Sequence, residues 1–271
     1  MIRTALAARL RDLVGSGQMD LSRPPGDPGL FAPGSPAWRV HGDFSAMMIG
    51  GISALLLQML HPLALAGVWD HSRFRDDRIG RLRRTARFIA TTTFGSTASA
   101  EAAIDAVRRV HDRVHGTLPD GTPYDANDPA LLTWVHVAEM DSFARAFRRY
   151  GDTALSMADE DRYFDETAII AMRLGAADVP RSRAAIETYY ARIRPALRAD
   201  HRVREVAAAL LAPGGRPATD FGMRLASSAA LDLLPDWAQR LHGRNAGLAT
   251  PAVRVGAQGM GRVVRWALRR R

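Results

Sequence analysis

The chain has 271 residues, a net charge of +9 and 47% hydrophobic residues, so it can bury the core of one large domain. It contains no cysteine, which excludes disulfides, thiolate nucleophiles, iron–sulfur clusters and thiolate-ligated haem. It contains no lysine either, so all 37 basic residues are arginine, and a pyridoxal phosphate Schiff base and a P-loop are also excluded.

The N-terminal part of the chain is predicted to be an arm. Its first residues are basic and amphipathic but lack the apolar region and cleavage site of a signal peptide, so we expect a cytoplasmic protein. Residues 15–43 are rich in the glycine, proline, serine and aspartate of turns. We therefore divide the chain into an arm (1–43), a helical domain (44–250) and a basic amphipathic C-terminal helix (251–271).

The pattern of apolar residues predicts helices throughout the domain. The longest uncharged run, 44–69, has the length of a membrane span. Gly50-Gly51 and His61-Pro62 within this run argue against a continuous membrane span. Because Pro62 lacks the N–H that continues a helix, we predict a buried core helix to about Leu60 followed by a short helix. No strand alternation is evident, and the predicted fold class is all-α, a multi-helix bundle. Further helices are predicted over 76–94, 97–116, 128–150, 159–174, 181–212, 219–232 and 252–269.

Five of the eight histidines lie between His61 and His136. The spacing places His111 on one helix face with Ile104 and Val107, so its imidazole is expected to point into apolar space. Such a ring suits either an axial ligand of haem iron or a core histidine bonded to a backbone carbonyl.

A second histidine, His115, follows His111 by one predicted helical turn, about 40° around the helix axis. The pair could bind a metal together. The residues between them are Asp112, Arg113 and Val114, and the glutamate of a zinc peptidase motif is missing. We therefore expect His115 to contact the edge of a cofactor.

An arginine-rich helix face follows the predicted core helices. Arg81, Arg84, Thr85 and Phe88 are spaced by three and four residues, and so they share one side of a helix. Two guanidinium groups and a hydroxyl can hold carboxylates or orient bound dioxygen. The same spacing also fits a solvated arginine face.

The other histidines in this region have structural interpretations. His61 precedes Pro62 at a helix break, where its ring can cap freed backbone groups or enter a distal pocket. His71 lies between Asp70 and Ser72, and this segment is typical of the start of a helix. Aspartate, histidine and serine that follow one another in the chain do not for that reason form a catalytic triad, because side-chain geometry decides it. We expect His136 to serve packing.

Several of these segments, taken together, resemble the MpaB-type oxygenases, a family related to the latex clearing proteins, which are rubber oxygenases. The resemblance covers roughly residues 26–250. It implies a globin-like helical core that holds a b-type haem, with one proximal histidine and a distal arginine-x-x-lysine-threonine element. The segments that carry it are Leu57–Pro62, Asp70–Ser72, Arg81–Thr85, His111–Gly116, Tyr124–Pro129 and Trp134–His136.

Carried over residue by residue, the resemblance implies that His111 is the iron ligand, with His115 as the second candidate. It also implies that Arg81, Arg84 and Thr85 lie on the distal side and act in catalysis. Arg84 stands where the related enzymes carry lysine, and an arginine cannot lose its proton and ligate iron as a lysine can. His61 is a further candidate for contact with the cofactor.

The chain is therefore predicted to be a haem b-dependent oxygenase that uses dioxygen and an apolar, unsaturated or prenyl-like substrate. Two other functions remain open: a non-catalytic haem- or lipid-binding module at a membrane surface, and a non-haem metal hydrolase that uses His61, Asp70 and His71. The basic C-terminus predicts peripheral contact with a membrane. The scattered arginines without a nucleic-acid-binding motif predict no nucleic-acid partner.

Overall fold

Helices joined by short connections make up the computed structural model, which describes residues 21–72, 74, 77–212, 217–244 and 250–268. The one sheet in these residues is a two-stranded antiparallel ribbon that pairs Gly116 with Tyr124. The predicted all-α fold class is confirmed, and the small ribbon is an addition that the sequence pattern did not predict.

A single 3-10 turn, Arg194–Ala196, separates the eighth and ninth helices. The helices and strands are α1 (Pro36–Gly42), α2 (Phe44–Gln58), α3 (Pro62–His71), α4 (Arg78–Phe94), α5 (Thr97–His111), β1 (His115–Thr117), β2 (Pro123–Asp125), α6 (Pro129–Tyr150), α7 (Met157–Leu174), α8 (Arg183–Ile193), α9 (His201–Leu211), α10 (Pro217–Leu233), α11 (Asp236–Leu241) and α12 (Thr250–Leu268).

The helices predicted over 97–116 and 181–212 have wrong boundaries. The helix that contains His111 ends at that residue and not near Gly116, because the chain then enters β1. A Cβ atom at Gly116 would lie 2.6 Å from the hydroxyl oxygen of Tyr124, so this glycine serves the close approach of the two strands. The single helix predicted over 181–212 is divided at the turn that contains Pro195, which lacks an N–H to continue a helix.

The core of the molecule is built around α2 and α6, which pack closely. Gly50 permits this approach, since a Cβ atom there would lie 2.9 Å from a ring carbon of Phe143 and 3.1 Å from Cβ of Ala146. Trp134 of α6 is fully buried in the same core. The predicted core helix followed by a short helix is confirmed as α2 and α3.

The helices were also compared with the length and hydropathy of a membrane span. Within the described ranges, no helix meets both criteria by itself. The pair α1 and α2 meets them when the two are joined, but they are bent by 88° relative to each other.

The start of α2 is fixed by a buried carboxylate. Asp43 accepts a hydrogen bond from the backbone N–H of Ala46 at 3.0 Å and an ion-pairing bond from Nη1 of Arg265 at 2.9 Å. Asp43→Ala removes a helix cap and leaves a largely buried guanidinium without its partner. We expect a loss of about 3–5 kcal/mol in the free energy of unfolding, measured by urea denaturation.

A matched control for this prediction is Asp159→Ala, because Asp159 pairs with Arg39 at 3.0 Å, close to the 2.9 Å of the Asp43 pair, but with both side chains about one-third exposed. An exposed pair contributes less than about 1 kcal/mol. Equal losses for the two variants would contradict the stabilising role assigned to Asp43.

Candidate functional site

Two cavities with a shared wall lie between α2, α4, α5 and α6. Their volumes are about 570 Å³ (the first cavity) and about 690 Å³ (the second cavity), in the range of small-molecule and cofactor pockets. The first cavity extends towards α7 and α10, and the second towards α3 and α9. The residues that line both are Leu55, Gln58, Arg81, Leu82, Arg84, Thr85, Val110, His111, Leu132 and Val135.

His111 is the last residue of α5, and it lines both cavities. Its Nδ1 atom is buried and has no hydrogen-bond partner among the described residues. Burial lowers the pKa of His111 below 6.5, although Asp112 and Asp125 act in the opposite direction. The ring is therefore neutral near pH 7, as a metal-ligating imidazole must be, and it is not a core histidine tied to a backbone carbonyl.

Arg81 of α4 also lines both cavities, and it is a largely buried cation. Its Nη1 donates to the hydroxyl of Ser72 at 2.9 Å, and no carboxylate of the described residues lies within ion-pair distance of it. Burial lowers the pKa of Arg81, and the nearby Arg84 lowers it further. A buried guanidinium with no counter-charge attracts an anionic group, such as a carboxylate, into the cavity.

The remaining members of this helix face differ in their surroundings. Arg84 reaches the wall of both cavities, but its side chain is 67% exposed and pairs with Asp77 at 3.0 Å. Thr85 lines both cavities and makes no hydrogen bond with a described residue. Phe88 lines the first cavity. The prediction that these residues share one face of the helix is confirmed. The alternative, an arginine face turned to solvent, does not hold for Arg81, because this side chain is largely buried.

Two predicted cofactor contacts lie elsewhere. His115 is exposed on β1 and lines neither cavity; its predicted position one turn after His111 is wrong because α5 ends at His111. His61 precedes α3 without a side-chain capping bond, so the predicted capping role is also wrong. Its buried Nδ1 has no hydrogen-bond partner in the described part of the chain, and its ring centroid lies 6.0 Å from that of Trp134; His61 is on neither cavity wall.

The Asp70-His71-Ser72 segment ends α3 and does not begin a helix. His71 lies on the wall of the second cavity, with Nε2 3.0 Å from the hydroxyl of Tyr124, which donates to Asp70 at 2.6 Å. Burial and Asp70 raise the pKa of Tyr124 to about 12. Asp70 and His71 are thus engaged with a tyrosine, and the described residues contain no group of three or more side chains placed to hold a metal ion.

Sequence reasoning missed one titratable residue of the first cavity and read another as packing. Glu139 and His136, one turn apart on α6, both line the first cavity and make no hydrogen bond with a described residue. Burial raises the pKa of Glu139 to about 7 and lowers that of His136 to about 4. The available signal was the one carboxylate between Trp134 and Met140, a run in which His136 is the only other polar residue.

The raised pKa of Glu139 has a consequence for stability. The carboxyl has an ordinary pKa of 4.5 and a folded-state pKa of about 7, so its contribution is complete below pH 4.5 and is lost as the pH rises through 7. Between pH 5 and pH 8 we expect the free energy of unfolding of the cofactor-free protein to fall by on the order of 2 kcal/mol more than that of Glu139→Gln. Urea denaturation at several pH values measures this difference.

The control for the pH dependence is Glu187→Gln, which changes a carboxylate that is 62% exposed and pairs with Arg183. Its pH profile should follow that of the unsubstituted protein. If the pH profile of Glu139→Gln also follows that of the unsubstituted protein, the carboxyl of Glu139 is not desolvated in the folded state.

Comparison with known proteins gives one match. A family model described as "ER-bound oxygenase mpaB/B'/Rubber oxygenase, catalytic domain" matches residues 38–266, a range that includes all residues on the walls of both cavities. A search of curated proteins and a search of solved structures each returned no significant match.

Proposed function

We propose that the oxygenase activity of this chain, which belongs to the mpaB/B' and rubber oxygenase catalytic-domain family, depends on haem b. The observation that carries this proposal is the state of His111. Its imidazole is neutral, stands on the wall of two cavities and has a buried Nδ1 without a hydrogen-bond partner among the described residues. Buried polar atoms are rarely left without a hydrogen bond, and unlike the unpartnered Nδ1 of His61, that of His111 belongs to a ring on the walls of both cavities.

The residues on the cavity walls fit haem b in three respects. The cofactor is a large apolar ring that carries an iron ion and two carboxylates, and so it requires an apolar cavity, a neutral nitrogen ligand and a cation. His111 would hold the iron. Arg81, which lacks a carboxylate partner within the described residues, would pair with a carboxylate of the cofactor or with another anion in the cavity.

Haem b supplies the capacity to bind and activate dioxygen. The chain contributes the surroundings in which that chemistry takes place. The apolar walls exclude water and protect reactive species. The guanidinium of Arg81 and the hydroxyl of Thr85 are donors for negative charge that develops in the cavity, and Arg84 adds positive charge without the ability to ligate iron.

The lining of the first cavity supports an apolar substrate. Its walls are formed largely by aliphatic, aromatic and methionine side chains, and the flexible thioethers allow it to accept irregular hydrocarbon shapes. An unsaturated or prenyl-like hydrocarbon fits such a wall, since it needs no polar recognition. The apolar residues include Met47, Met48, Ile52, Phe88, Phe143, Ile170, Leu174 and Met223.

Oxygen consumption by the haem-loaded protein tests this function. Squalene, an acyclic isoprenoid, and squalane, its saturated counterpart, form a matched pair of apolar probes within a wider panel of alkenes and alkanes. We expect oxygen uptake with alkenes only, together with incorporation of labelled oxygen into the product. Haem-loaded protein that consumes no oxygen with any alkene would contradict the proposal, as would equal uptake with the saturated probes.

A further inference from the structure

Large apolar side chains are exposed on one face formed by α10 and α12, which we name the α10–α12 face. Its apolar members are Phe221 on α10 (77% exposed) and Val255, Val263 and Trp266 on α12 (70%, 53% and 53% exposed). The three residues of α12 lie within about 80° of one another around the helix axis. Ala257 and Gly261, on the opposite side of α12, are buried against the bundle.

The same face carries arginines that have no acidic partner within the described residues. Arg262 borders the apolar stripe of α12, about 20° from Val255 around the helix axis, and Arg224 is exposed on α10. Arg254 and Arg265 lie about 100° and 80° from Val255 around the helix axis and pair instead with Asp232 and Asp43. In the sequence, three further arginines follow α12. Apolar and cationic side chains on one helix face are the combination that binds anionic lipid.

The α10–α12 face also adjoins the substrate side of the site. Phe221 is exposed on α10, whereas Met223, two residues later, lines the first cavity. The two helices of the face are in close contact, because a Cβ atom at Gly256 of α12 would lie 3.2 Å from Leu225 of α10. A surface that binds this face therefore lies against a helix that forms part of the cavity wall.

We infer that the α10–α12 face docks on the surface of an anionic lipid bilayer, with Val263 and Trp266 in the boundary between headgroups and acyl chains. A bilayer accounts for the face better than a second copy of this chain does. In a symmetric dimer the same face meets itself, and that would bring the Arg224 and Arg262 side chains of two copies to one interface, where like charges repel. The inference deepens the proposed function, since it makes the bilayer the source of the apolar substrate.

Flotation of the full cofactor-free chain with lipid vesicles tests this inference. The probes are vesicles of phosphatidylcholine alone and of phosphatidylcholine mixed with phosphatidylglycerol. We expect binding to the mixed vesicles and roughly tenfold or greater weakening by Val263→Asp or Trp266→Asp. Arg262→Gln should weaken binding by roughly fivefold.

Matched controls lie on other parts of the surface. Met157→Asp changes an apolar side chain that is 74% exposed at the start of α7, and Arg204→Gln changes an exposed arginine of α9; neither should alter vesicle binding. The inference is overturned if the chain does not bind the mixed vesicles, or if the control variants weaken binding equally.

If the α10–α12 face instead binds a second copy of this chain, the experiments will give a different result. Light scattering would then show a dimer that Val263→Asp converts to a monomer, with no change in vesicle binding, and the inference would be overturned. Because the flotation assay contains neither haem nor substrate, its outcome is independent of whether the haem-dependent oxygenase function holds.

Discussion

Replacing His111 with alanine is expected to abolish stable haem binding. The imidazole is the neutral nitrogen ligand that the cavity offers, and its buried Nδ1 has no hydrogen-bond partner in the described part of the chain. Loss of residues around a metal ligand costs about 10–100-fold in affinity, and so loss of the ligand itself should exceed about 100-fold. The measurement is a haemin titration of His111→Ala, followed by absorption in the Soret region.

The neighbouring histidines supply the controls for this result. His115 is exposed on β1 and His61 lies outside both cavity walls, so His115→Ala and His61→Ala should bind haemin as the unsubstituted chain does. If His111→Ala retains haem while one of these variants loses it, the ligand has been assigned to the wrong residue.

Arg81→Leu is expected to change haem affinity and stability in opposite directions. The affinity for haemin should fall by roughly 10–100-fold, because a charge-assisted hydrogen bond contributes about 1.5–3 kcal/mol. The cofactor-free protein should become more stable by about 1–3 kcal/mol, because a buried cation without a counter-charge is replaced by an apolar side chain. Haemin titration and urea denaturation measure the two effects.

Arg84→Leu, one position before Thr85 on the same helix, is the control for the stability effect. Its guanidinium is mainly exposed and already paired with Asp77, so its removal should change the free energy of unfolding by less than about 1 kcal/mol. Destabilisation of the cofactor-free protein by Arg81→Leu would mean that Arg81 serves the fold, and it would remove the argument for an anionic ligand.

The helical spacing of residues in the sequence predicts the helix face of a side chain only in the interior of a regular helix. Arg81 and Thr85 lie near the middle of α4, where a spacing of four residues determines that they share a face whatever surrounds the helix. His111 was placed correctly on an apolar face, because Ile104 and Val107 define that face one and two turns earlier. Periodicity therefore gave the helix face of each of these residues, whereas their placement in one site was implied by the family resemblance and agrees with their position on the wall between the two cavities.

The errors lie where tertiary contacts decide the local structure. His115 was expected to continue α5, but the pairing of β1 with β2 and the contact between Gly116 and Tyr124 take the chain out of the helix after His111. Glu139 was missed for a related reason. In the apolar run of α6, almost every side of the helix is buried, and only the packing of α2 and α7 shows which side faces a cavity.

The contacts of the second cavity were also inaccessible to sequence reasoning. His71 and Tyr124 are 53 positions apart, and their hydrogen bond depends on how α3 meets β2. Adjacent residues in the chain, such as Asp70 and Ser72, instead bond to different partners, Tyr124 and Arg81. Of the three consecutive residues, Asp70 and His71 therefore share a partner and Ser72 does not, which their order in the chain could not show.

The most direct test of this account is a titration of the purified chain with haemin, followed by the Soret band and by the amount of iron retained after gel filtration. If the cavity wall at His111 holds the cofactor, the titration will saturate at one haem per chain with a shifted Soret band. A spectrum that remains that of free haemin, with no iron retained by the protein, would contradict the central claim.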